Sequence, residues 1–215
     1  MALFQLDPES IAKRARAANS PVHVPTLRES ILRGIIGFMI VSIAGFAPWP
    51  IFERWVRGLG EMELYVACTV VFIAMSGICL HRLIIGPGSL SRFYKLFSLA
   101  FLAYAIAWVG LWMWLRGSSG VWTGLLAGNL VMAAILAFAF DAQRSIIAVF
   151  VALFALNTIG YFLGEALEVR LIHDHRAAAM LLWGACFGVG FGAGLGLAFH
   201  LCQSRARALL QDQST

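Results

Sequence analysis

Six stretches of this chain run without an Asp, Glu, Lys or Arg: Gly34 to Phe52, Leu64 to Leu80, Leu96 to Leu115, Gly117 to Phe140, Ser145 to Gly164 and Ala177 to Ser204. At 1.5 Å of rise per residue, about 17–20 residues of helix cross a hydrocarbon layer of about 30 Å, with tilt or snorkelling flanks for the shortest. The runs are continuous rather than alternating, so helices and not barrel strands are the spanning form. Burial in a soluble core is the competing explanation, and composition excludes it. The chain of 215 residues is 60% hydrophobic and 13% charged, whereas a soluble domain is about 45–50% apolar and about 25% charged.

The fold expected is therefore all-α: a polytopic transmembrane bundle of six helices, both termini on the cytoplasmic side, with a short N-terminal interfacial helix. The predicted spans are about 31–48, 63–85, 93–115, 119–140, 145–165 and 177–203, within a membrane domain of 31–204. Residues 1–30 form a cytoplasmic basic amphipathic arm and 205–215 a cytoplasmic tail. The Ala-Gly-Phe-Ala stretch ending near Ala47 looks like a signal-peptide cleavage site. However, some thirty mostly polar residues precede the first run, far more than an n-region needs, so this segment is read as a retained span.

Orientation follows from charge. With the sides alternating, one side holds Lys13, Arg14, Arg16, Arg28, Arg33, Arg82, Arg92, Lys95, Arg144, Arg205 and Arg207. The other holds Arg54, Arg57, Arg116, Arg170 and Arg176, which completes the sixteen basic residues. The excess of Lys and Arg marks the cytoplasmic face, consistent with a bacterial inner membrane. Trp49, Trp55, Trp112, Trp114, Trp122 and Trp183 fall toward the opposite face, where an aromatic belt belongs, and Trp108 lies one turn deeper. The net charge of +5 is thus explained by topology, and no nucleic acid is implied. The expected partners are the lipid bilayer and other membrane subunits or a second copy of the chain.

In the arm, Asp7-Pro8-Glu9 is a helix start, with Asp capping, Pro in the first turn and Glu at the positive dipole end. Asn19-Ser20-Pro21 is a stop. Ile11, Ala15 and Ala18 then share one face and Lys13, Arg14 and Arg16 take the others, which suits an interfacial helix on an anionic leaflet. The outer loop from Pro48 to Glu63 suits a short interfacial helix anchored by Trp55. Gly86-Pro87-Gly88-Ser89 reads as a tight turn, with Ser89 or Ser91 capping the next helix.

Cys68, Cys79, Cys186 and Cys202 lie within or at the ends of apolar runs and suit free, buried thiols rather than disulfides. No Asp, Glu, Lys or Arg stands near a midplane, which argues against ion-driven transport. No catalytic set is recognised, and no cofactor is implied.

Four groups could carry chemistry. Asn129 and Asn157 each lie about fourteen residues from the turn joining the fourth and fifth spans. In an antiparallel hairpin they meet at one height, as helix glue or as polar contacts to a substrate. In the sixth span Gly184, Gly188, Gly192 and Gly196 recur every four residues, a glycine-zipper pattern suited to close helix packing, with Gly190 and Gly194 on another stripe. Beyond the fifth span Glu165, Glu168, His173 and His175 combine carboxylates and imidazoles that suit a divalent metal, although Arg170 and Arg176 compete for the acids. At the inner surface, His81, His200 and Asp141 are a weaker metal candidate. Tyr104, Trp108 and Trp112 form a ladder with spacing four, suited to belt and lipid contact or to a pigment, quinone or lipid tail.

Three function classes follow as expectations. The first is an accessory or structural subunit of a membrane complex. The second is a transporter or substrate-binding subunit for a small, largely apolar solute held by Asn129 and Asn157. The third is a metal-dependent membrane enzyme with an outward-facing site.

Overall fold

The computed structural model describes residues 4–18, 22–48, 58, 60–171 and 175–212. Those residues form eight α-helices: α1 (Pro8–Arg16), α2 (Leu27–Phe46), α3 (Glu61–Leu80), α4 (Ser89–Leu115), α5 (Gly117–Ala139), α6 (Ile146–Leu171), α7 (Arg176–Cys202) and α8 (Ser204–Gln211). α2 to α7 are long and apolar enough to cross a membrane. The chain is an all-α bundle and a multi-pass membrane protein. The expected outer-loop helix around Trp55, together with Trp49 and His173, lies outside the described residues.

Each spanning helix packs on its neighbour in sequence, and α7 returns to pack on α2, closing a ring of six. Short links force this order. Between α4 and α5 only Arg116 intervenes, at φ 52°, followed by Gly117 at φ 56°. Between α5 and α6, Asp141 at φ 52° follows the helix end. The Ala142 N–H then reaches back to the Ala137 carbonyl at 2.8 Å, closing the helix end as a Schellman turn does. Antiparallel neighbours are the only product of such links.

The half of the ring nearest the termini is filled with phenylalanine. Phe93, Phe97 and Phe101 stack along α4 with centroids 5.0 and 5.3 Å apart. Phe38 of α2 meets Phe191 of α7 at 4.7 Å, and Phe93 meets Phe199 at 5.7 Å. All six are buried. Offset and edge contacts of this kind add about 0.5–1.5 kcal/mol each beyond their area.

The terminus-side surface is tied down by two buried polar side chains. Gln203 accepts from the Ile85 N–H at 2.9 Å and donates to the Leu83 and Phe199 carbonyls at 2.8 and 3.0 Å. Arg92 donates to the carbonyls of Ile85, Gly86 and Pro87 at 3.1, 3.2 and 2.8 Å. The α4 N-cap is Gly88, at φ 70° and without a side-chain cap. Ser89 is the first helical residue rather than the cap, and its hydroxyl instead lies 3.0 Å from His81 Nδ1. Arg92 satisfies the turn that a serine was expected to cap.

α1 begins as its sequence dictates, with Asp7 accepting from the Ser10 N–H at 2.9 Å and Pro8 in the first turn. It ends at Arg16, before the Asn-Ser-Pro stop. Its apolar face is occupied by protein: Leu6 and Ile11 are fully buried, and α1 packs on α8. Thr26 and Glu29 form a capping box at the start of α2, signalled by the Thr-x-x-Glu spacing. α6 runs on to Leu171, past the predicted end, because Glu165, Ala166, Leu167 and Glu168 are good helix formers with no breaker among them.

Candidate binding cavity

The glycines of α7 separate into two faces. Gly184, Gly188, Gly192 and Gly196 turn to α2. A methyl group on Gly188 would lie 2.7 Å from Met39 Cα, on Gly192 2.8 Å from the Gly34 carbonyl carbon, and on Gly196 2.9 Å from Ile31 Cα. On Gly184 it would lie 3.1 Å from the Phe46 ring. Gly190 and Gly194 turn to α6, at 2.7 Å from Gly160 Cα and 3.2 Å from Leu153 Cα. The Ser42 hydroxyl donates across the first interface to the Gly184 carbonyl at 2.6 Å. Backbones meeting this closely gain dispersion contacts along the whole helix, the main source of helix association in lipid.

A third stripe was legible in the sequence but not singled out above. Gly120, Gly124 and Gly128 of α5 lie against Trp112, Trp108 and Tyr104 of α4, with methyl positions 3.1, 2.9 and 2.8 Å from the nearest atoms. The aromatic ladder therefore sits at a helix–helix contact, and the spacing of four in both helices was the signal.

Asn129 and Asn157 are fully buried and meet. Asn157 Nδ2 donates to Asn129 Oδ1 at 3.4 Å and to the Tyr104 hydroxyl at 3.0 Å, while Asn129 Nδ2 donates to the Leu125 carbonyl at 2.7 Å. Asn157 Oδ1 has no partner among the described residues. The amides tie α5, α6 and α4 together at mid-span.

Above them, in the half of the ring away from the termini, lies a cavity of about 330 Å³. That places it at the lower end of the ~300–1,000 Å³ usual for small-molecule sites. Five of the six spanning helices line it, and Asn129 and Asn157 are not among the lining residues. Phe72, Phe101, Tyr104 and Phe187, all buried, form its floor. The phenylalanine-packed half lies beneath that floor, so the cavity is a dead end.

The wall is a belt of rings. Tyr65 of α3 meets Trp112 at 6.1 Å, Trp112 meets Trp108 at 6.3 Å, and Trp108 meets Tyr161 of α6 at 6.2 Å. Tyr161 meets Trp183 of α7 at 5.6 Å, and Trp183 meets Phe46 of α2 at 4.9 Å. The Trp108 indole N–H is buried with no acceptor among the described residues. The Arg116 guanidinium stacks over Trp112 at 4.6 Å at the outer end of α4.

Two carboxylates also line the cavity. Glu165 is exposed and Glu168 half-buried, one turn apart on α6. The ion pairs among the described residues are His23–Glu29 and Arg205–Asp141, so neither rim acid has a cationic partner there. His173 lies outside the described residues, while His175 precedes α7 as its N-cap. Among the described residues no group of three or more His, Cys, Asp or Glu gathers as a metal site. In the weaker inner-surface trio, Asp141 binds Arg205 at 3.1 Å, His81 contacts Ser89, and His200 Nδ1 has no partner among the described residues.

Compared with known proteins, the chain matches no family model, no curated protein and no solved structure.

Proposed function

We propose that this protein binds a small, largely apolar solute in the aromatic cavity, as a carrier or as the solute-binding subunit of a membrane transport complex. One observation carries the reading: a ring-lined cavity of about 330 Å³ between five spanning helices, with buried rings at its floor and acids at its rim. A purely structural helix bundle has no use for such a void, since unfilled volume loses dispersion contacts on every lining atom. The glycine faces of α7, which favoured an accessory subunit in the sequence, are taken up by α2 and α6 and offer no surface to another chain. The mid-span amides act as interhelical glue, and the solute contacts pass to the rings above them.

The excess of Lys and Arg on the terminus side supports an orientation with both termini cytoplasmic, in a bacterial inner membrane. The cavity then opens outward. Ala105→Trp tests the binding reading, because Ala105 lines the cavity and an indole there fills it. Wild-type protein in nanodiscs should bind a small aromatic hydrocarbon such as tert-butylbenzene, with a change in tryptophan emission, and A105W should not. Equal response in both proteins refutes this site.

A further inference from the structure

The chemistry of the lining narrows the solute class further. Resting on the reading that the cavity holds a solute, we propose that this solute is a small organic cation, with an apolar body and a quaternary or alkylated ammonium group.

Three features converge on that class. The faces and edges of Trp108, Trp112, Tyr161 and Trp183 surround the space. Indole and phenol faces carry negative potential, and they attract alkylated ammonium groups that water solvates weakly. Glu165 and Glu168 add up to two negative charges at the same rim, with no ion-pair partner among the described residues. Among the described residues, no Lys, Arg or His lines the cavity. Arg116 already shows the attraction at work, lying over the Trp112 ring at the outer rim.

The alternatives fit less well. A bare metal ion needs several hard ligands at about 2.0–2.6 Å, and two acids on a ring-lined wall fall short of that. An anion would face two carboxylates. A neutral hydrocarbon fits the rings but leaves the two rim acids without a role. A cation with an apolar body uses both, the body against Phe72, Phe101 and Phe187 and the charge toward α6. An acceptor atom on that body would also pair with the Trp108 N–H, which no described residue satisfies.

The test separates charge from shape. Phenyltrimethylammonium and tert-butylbenzene have the same shape and differ by a nitrogen cation in place of a carbon. Both are titrated into full-length protein in nanodiscs of neutral lipid, read by tryptophan fluorescence and calorimetry. The cation should bind about tenfold or more tighter than its neutral isostere. Glu165→Gln with Glu168→Gln should remove about tenfold or more of the cation affinity, leave the isostere unchanged and leave the melting temperature unchanged. Trp108→Phe, which keeps a ring but weakens the attraction, should fall between. Equal binding of the two probes, insensitive to the Gln pair, overturns the cation proposal and keeps the cavity reading. Binding of neither probe to folded wild-type protein overturns both.

Discussion

The close approach of α2 and α7 makes the sharpest prediction. Gly192→Ala places a methyl group 2.8 Å from the Gly34 carbonyl carbon and 3.0 Å from Phe38 Cβ. The Gly34 carbonyl oxygen lies closer still, and ordinary contact begins near 3.4 Å, so α2 and α7 must separate by more than about 0.6 Å. The obstacle is backbone, which has no rotamer to change. Overpacking of this kind costs about 1–3 kcal/mol. Ala also gains up to about 1 kcal/mol of helix propensity over Gly, which masks part of that cost. Gly110→Ala is the reference: it is exposed on α4, and nothing lies within 4 Å of its methyl position. It collects the propensity gain with no strain. The difference between the two variants therefore isolates the strain, roughly 2–12 °C in melting temperature at about 2–4 °C per kcal/mol. Thermal unfolding in mild detergent, followed by circular dichroism, measures it. If G192A and G110A shift the melting temperature alike, the α2–α7 approach is not as close as described.

Asn157→Ala should cost roughly 0.6–2 kcal/mol, and a double-mutant cycle with Asn129→Ala should return a coupling of about 0.6–1.7 kcal/mol. Additive effects would mean the amides do not bond. Gln203→Ala removes the two bonds by which this side chain holds the 83–85 segment to the end of α7, at about 1–3 kcal/mol. The Ile85 amide should then exchange with solvent markedly faster, and unchanged protection would exclude the tie. For topology, single cysteines at Ser118 and Gln143 in a cysteine-free background should differ in labelling by a membrane-impermeant maleimide added to intact cells. Ser118 should react and Gln143 should not, and the reverse pattern would invert the proposed orientation.

Much of the architecture is local information and was readable before any coordinates. Uncharged runs of 17 or more residues can hide their backbone polar groups in lipid only as helices, so the six spans follow from the sequence. One-residue and few-residue links make α4–α5 and α5–α6 antiparallel neighbours whatever else happens. The meeting of Asn129 with Asn157 follows from equal distance to a turn. Cap signals such as Asp7-Pro8 and Thr26-x-x-Glu29 are local in the same sense.

What the sequence could not decide is which face of each helix looks inward, because spanning helices are apolar all round and periodicity carries little signal. Glu165 and Glu168 read as part of a solvated outer loop, with metal binding the lesser alternative. Only the closing of the ring, α7 against α2, brings that turn of α6 level with Trp108, Trp112 and Trp183. The glycine stripe of α7 announced close packing but not its partner. The structure gives one face to α2 and the other to α6. Composition and local spacing set where the chain spans the bilayer. The cavity exists only because side chains distant in sequence fail to fill the space between five helices, a property of the assembled packing that no single segment carries.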